Sequence, residues 1–115
     1  MKKLIKRLTS KEIEFLKDRY ESLRFNNEFD LIYESQIPNT GVVLIEGSMT
    51  LLKRKKVKET VPAGSMIGVQ ELVNNEPLPM GCKVMENSEL IILQKSEILE
   101  ALDDKENELY AIIRK

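Results

Sequence analysis

Any chemistry in this sequence is done without histidine and with a single cysteine, Cys82. Zinc, copper and haem sites thereby lose their usual ligands. Ser-His-Asp, Cys-His and other histidine-based acid–base schemes are excluded as well, and no enzyme activity is expected. One cysteine makes no intramolecular disulfide and gives no argument for an oxidising compartment; Cys82 reads as a small core hydrophobe. Charge is what remains. Lys53-Arg54-Lys55-Lys56 is one cationic cluster, and Lys2, Lys3, Lys6 and Arg7 form another. Either could meet an anion. With no interleaved aromatics, the first reads as a charged hairpin tip that keeps edge strands soluble and the second as a solvated face.

The chain has 115 residues, 42% of them apolar and 32% charged, which fits one compact globular domain over 1–115. With 18 basic and 19 acidic residues the net charge is −1, so composition makes no case for nucleic acid or membrane binding. Tryptophan is absent, so the core must come from Leu, Ile, Val and Met. Residues 1–11 are basic but lack the apolar run of a secretory signal. No run of about 18 apolar residues is present to span a bilayer, and a cytoplasmic protein is expected.

These residues need elements to position them. Residues 1–24 are predicted helical. Thr9 and Glu12 fit a capping box, followed by Ile13, Leu16, Tyr20 and Leu23 on one face. Leu4, Ile5 and Leu8 belong to a short leading helix. From 25 to 94 the pattern is that of strands: Phe25, Phe29, Leu31 and Tyr33 recur at even spacing, and Val42–Ile45, Met49–Leu52, Val57–Val61, Met66–Ile67, Cys82–Met85 and Leu90–Leu93 follow. Turn signals fall between them, at Pro38 to Gly41 and at Pro62-Ala63-Gly64, with one helical turn over Gln70–Val73. Ser96 offers an N-cap for a closing helix over 96–114, kinked or divided at Asp103-Asp104. The order helix, short strands, helix predicts a mainly β protein with a closed or sandwiched antiparallel unit.

Four segments, in order, resemble the cyclic-nucleotide-binding domain family. They are Val42-Val43-Leu44-Ile45-Glu46-Gly47 leading into Met49–Leu52; Val61-Pro62-Ala63-Gly64-Ser65-Met66-Ile67-Gly68; Glu76-Pro77; and Ser88–Leu93 running into Ser96–Leu99. The likeness covers Leu8 to Leu102. It implies a jelly-roll barrel (a double-stranded β-helix) flanked by helices. It also implies a phosphate-binding cassette at Gly68, Val69, Gln70, Glu71 and Leu72, continuing to Leu78, Pro79, Met80 and Lys83. In such a cassette a helix start offers unpaired N–H donors, and glycines let the backbone approach the phosphate.

The cassette departs from the family where its chemistry lies. The glycine is followed by Val69 instead of the acid that holds the ribose. Glu76-Pro77 is followed by Leu78 instead of arginine, and then by Pro79 and Met80 where smaller residues are usual. No arginine occurs between Arg54 and Arg114. Losing a charge-assisted contact to a desolvated phosphate costs on the order of 2–5 kcal/mol, a roughly 30- to 4,000-fold loss in affinity. The usual cAMP or cGMP site is therefore not expected, and no cofactor is assigned. Glu71 and Lys83 are candidate substitutes whose ordinary place is the surface. Leu78 and Met80 are candidate fillers of the nucleotide space. The resemblance then implies a non-enzymatic regulatory or scaffolding module. Its expected partner is a protein or a second copy, met through the closing helix with Leu102, Leu109, Tyr110, Ile112 and Ile113. The alternative is a small-molecule sensor with a non-standard cassette. No helix-turn-helix follows the closing helix, so DNA binding is not expected.

Overall fold

A computed structural model describes residues 4–114. Lys2 and Lys3 of the basic cluster lie outside these. Two antiparallel sheets face one another. The first sets β1 (Lys6–Arg7), β7 (Ser65–Ile67), β4 (Thr40–Glu46), β9 (Ser88–Gln94) and β2 (Ser22–Phe25) side by side in that order. The second has the order β3 (Phe29–Ile32), β8 (Gly81–Val84), β5 (Met49–Lys53) and β6 (Lys56–Val61). Among the described residues there are also four helices: α1 (Ser10–Arg19), α2 (Val69–Asn74), α3 (Lys95–Leu102) and α4 (Glu108–Arg114).

Two apolar cores result. Between the sheets, Val42, Leu44, Met49, Leu51, Ile67, Leu78, Cys82, Val84 and Leu90 fill the barrel. On the other side of the first sheet, Val43, Met66, Ile91 and Leu93 pack with Leu16, Val69, Ile98, Leu109, Ile112 and Ile113. Neighbouring residues of β4, β7 and β9 thus serve opposite cores, as the two-residue period of a strand requires. Strands buried on both faces read as unbroken apolar runs, which is why Val42–Ile45 and Leu90–Leu93 do not alternate.

The capping box forms as predicted: Glu12 N–H donates to Thr9 Oγ1 at 3.2 Å and Thr9 N–H to Glu12 Oε1 at 2.8 Å. The helix it opens ends earlier than predicted. Tyr20 turns extended, its N–H still donating to Leu16 O at 2.9 Å, and Leu23 lies in β2 opposite Leu90. The leading helix is also corrected. Lys6 and Arg7 pair with Met66 and Ser65, and Leu4 and Ile5 pack on the barrel core. Both segments meet strand edges distant in sequence, and pairing there satisfies their backbones.

The aromatic stretch divides into two strands in different sheets, with the Phe25 and Phe29 rings 4.7 Å apart across the turn. A register shift between Asp30 and Ile32 makes Ile32 the buried residue and leaves Tyr33 65% exposed. The closing helix is divided where predicted, Asp103 ending α3. Its cap is Gln94, not Ser96: Gln94 N–H donates to Glu97 Oε1 at 2.9 Å, and the Gln94 side chain accepts from Glu97 N–H.

Candidate functional site

Gly68 begins the cassette, with φ at 91°. A Cβ there would lie 3.1 Å from Thr40 O, so both the left-handed backbone and the close approach of β4 call for glycine. The six-residue α2 follows, closed by Asn75 in left-handed geometry. Val69 and Leu72 face the helix-side core, not the barrel. A Cβ on Gly41 would run into Val69 Cγ2 and come within 3.2 Å of Ile98. Val69 therefore seals α2 against β4, and its side chain is spent on packing.

Leu78 enters the barrel. It is 0% exposed and belongs to the barrel core with Met49, Leu51, Cys82 and Leu90. Its backbone is fastened on both sides: Leu78 N–H donates to Gln36 O at 2.9 Å, and Ser35 N–H donates to Leu78 O at 2.8 Å. Met80, half-buried, packs against the same core, whereas Pro79 is exposed. Cys82 sits beside Met49, Sγ to Sδ 3.7 Å, and burial pushes its thiol pKa up to about 12. That is a core thiol, far from the depressed values of reactive ones.

Glu71 and Lys83 do not converge. Glu71 is 2% exposed, and its Oε2 finds no protein donor. It faces a small cavity of about 20 Å³ shared with Leu4, Lys6, Met66 and Gln70. Lys83 alternates with the inward Cys82 and Val84, so it stands on the outer face of β8 opposite Asp30. Its Nζ is 4.0 Å from Glu28, and it borders a separate groove of about 580 Å³.

Gln70 has a role that the sequence did not suggest. Its Nε2 donates to Ile113 O at 3.1 Å, and Lys6 Nζ donates to the same oxygen at 2.6 Å. A cation near the last carbonyls of a helix is favourably placed, so β1 and α2 together hold the end of α4. Ser88 likewise has a structural role that its sequence context does not signal. Its buried Oγ donates to Met85 O at 2.8 Å and meets both Ser48 N–H and Ser48 O at 3.2 Å, and a Cβ on Gly47 would run into it. Gly47 marks this spot in the sequence, but only the fold shows what approaches it.

The apolar excess of the closing segment is used inside the molecule. Leu109, Ile112 and Ile113 are at most 4% exposed, packed with α1 and α3. Among the described residues, no three of Asp, Glu and Cys are grouped to hold a metal ion, and no helix is long and apolar enough to cross a membrane.

No protein-family model and no curated protein matches the chain. Solved structures do. One from work on a cyclic-GMP-dependent signalling pathway that regulates bacterial phytopathogenesis is 15% identical, with a TM-score of 0.74 over 94% of this chain and 89% of that one. A cyclic nucleotide-binding-like protein from Brucella abortus is 20% identical, with a TM-score of 0.63 over 84% and 86%. The regulatory subunit of a cAMP-independent protein kinase A from Trypanosoma cruzi, bound to guanosine, is 17% identical, with a TM-score of 0.61 over 78% of this chain and 33% of that one. The chain thus spans about a third of that last structure. The architecture is the barrel-and-helix fold of cyclic-nucleotide-binding domains. The chain shares this fold and has apolar residues, Val69 and Leu78, at the two positions where the resemblance expects charge.

Proposed function

We propose that this domain is a non-enzymatic regulatory module whose barrel is closed to cyclic nucleotides and which acts through its surface on another protein. The observation that carries this reading is Leu78, fully buried among Met49, Leu51, Cys82 and Leu90. Its place is where the resemblance expects the phosphate-binding arginine. A nucleotide would have to displace close-packed side chains, and it would bring a phosphate into surroundings with no cation to pair it. The test is calorimetric titration of the whole chain with cAMP, cGMP and guanosine. No saturable heat is expected below about 1 mM, a binding free energy of about 4 kcal/mol. Micromolar binding of any of the three would overturn the closed-barrel reading.

A second reading, a small-molecule sensor gripped by the cassette, has one observation in its favour. Glu71 is buried with an oxygen that no protein donor reaches. An unpartnered buried acceptor costs about 1–3 kcal/mol, and a ligand donor would relieve that cost. If Glu71 serves no ligand, Glu71→Gln should raise stability without altering any binding. If it serves one, the same variant should abolish a titration signal seen in the parent.

A further inference from the structure

β1 is two residues long and lies at the edge of its sheet, where Lys6 pairs with Met66 and Arg7 with Ser65. Three flanking bonds complete its attachment. Leu8 N–H donates to Gly64 O at 2.8 Å, Arg7 Nη2 to Ala63 O at 3.4 Å and Lys6 Nζ to Ile113 O at 2.6 Å. Leu4 and Ile5, both half-buried, lie on the barrel core. Residues 4–8 thus form a strap across β7.

The seam beneath this strap is poorly satisfied. Among the described residues, two buried side-chain oxygens have no hydrogen-bond partner, Ser65 Oγ and Glu71 Oε2. Both border the strap. Ser65 is opposite Arg7 in register, and Glu71 shares the cavity of about 20 Å³ with Leu4 and Lys6. An unsatisfied buried oxygen opposes closure, because water would satisfy it in the open state. A gap the size of a water molecule also forfeits packing contacts. By contrast, β4 is paired on both sides, with β7 and with β9. Few contacts and unmet polar groups mark the part of a fold that opens at low cost.

We infer that residues 4–8 are a releasable strap, and that the edge beneath takes an extended basic segment of a partner protein in the strap's place. Release makes β7 the edge of the first sheet, with Ser65–Ile67 open to a strand added from outside. The strap itself shows what that edge accepts. Two apolar residues lie on the barrel core, and two bases then reach the carbonyls of Ile113 and Ala63. Charge argues the same way. Of the two charged residues that border the cavity, Lys6 leaves with the strap and Glu71 stays. A lysine or arginine of the incoming segment then meets the Glu71 carboxylate. An acidic segment or a nucleic acid backbone would meet it with like charge. The closed form is autoinhibited, since the strap holds the site its partner would use. The inference rests on the reading that the domain works through its surface, and it names where and with what chemistry.

The test uses the full chain labelled with nitrogen-15. Amides at 6–8 should exchange at least about tenfold faster than those at 42–44 and 91–93, through an opening that leaves the barrel folded. Ser65→Ala removes one unsatisfied oxygen and should slow exchange at 6–8 alone. Binding is read with a blocked peptide of the strap's own sequence, Leu-Ile-Lys-Arg-Leu-Thr. It is titrated into the parent and into Ile5→Asp, which weakens the strap; Ile5→Ala serves if Ile5→Asp does not fold. Shifts are expected at 64–71, at least about tenfold tighter in the variant, because the parent's strap competes. Adding Glu71→Gln to the variant should weaken that binding, as should glutamine for lysine and arginine in the peptide. Uniform exchange across 6–8, 42–44 and 91–93, or no peptide binding to the folded variant, overturns the proposal. Equal binding of the glutamine peptide overturns the choice of a basic segment. A dimer formed by exchange of straps overturns the choice of partner in favour of a second copy. A silent peptide titration together with silent nucleotide titrations removes this edge and leaves the closed barrel standing.

Discussion

Leu78 occupies a position where a cation would have to be buried among aliphatic and sulfur-bearing side chains. Restoring the arginine that the resemblance expects there would not restore a site. Leu78→Arg would leave a guanidinium without an acid in the barrel core, and an uncompensated buried charge costs about 3–5 kcal/mol. Urea denaturation should show a loss of that size, with no gain in cAMP binding, whereas Leu78→Met should cost less than about 1.5 kcal/mol. If Leu78→Arg folded with near-parental stability and bound cAMP, the barrel would be a pocket held shut by one residue. Cys82 allows a simpler measurement. With its thiol pKa pushed up to about 12 by burial, almost no thiolate exists at pH 8. The native protein should resist a thiol-specific reagent and label only at the rate at which it opens. Rapid labelling at pH 8 would show that the barrel opens readily near β8.

Local interactions fix some elements, and distant ones decide others. The Thr9–Glu12 box is complete within four residues, which is why it is legible in sequence. Thr9→Ala should lower stability by about 1 kcal/mol, read as a shift of the denaturation midpoint without a change of slope. Gly68→Ala should cost about 1–2 kcal/mol through its left-handed φ, before any displacement by Thr40 O is counted. A neutral result would mean that β4 and α2 can move apart there. The leading residues depart from the helical expectation for a reason at this scale. Leu4, Ile5 and Leu8 have helical spacing, but the edge of β7 gives Lys6 and Arg7 backbone partners nearly 60 residues away, and no local pattern announces such a partner. The same holds for Tyr33. Even spacing from Phe29 predicted a buried side chain, but the irregular pairing after Asp30 turned the alternation over and buried Ile32 instead. Within the cassette, glycine spacing and Glu76-Pro77 located the turn and helix. They gave no sign that Val69 packs on the helix side or that Lys83 stands outside the barrel, because each depends on which face of its element is buried.

At the scale of the molecule, the two cores are joined through β4, β7 and β9, so the helices and the barrel share one wall. The cassette helix lies on the helix side of that wall, and Gln70 ties it to the last turn of α4, as Lys6 ties β1. A displacement of α2 is therefore felt at α4 before it is felt in β5 or β8, which belong to the barrel core alone. Removing both donors, Lys6→Ala with Gln70→Ala, takes one charged and one neutral hydrogen bond from Ile113 O. A bond to a charged group is worth about 1.5–3 kcal/mol and a neutral one about 1 kcal/mol. Amide hydrogen exchange at 108–114 should then accelerate by about tenfold or more. Amides of β5 and β8 should keep their protection, since the barrel core loses nothing. Equal acceleration throughout would show that the two cores open as one unit, and exchange in α4 unchanged would show that Leu109, Ile112 and Ile113 hold the helix without the clamp.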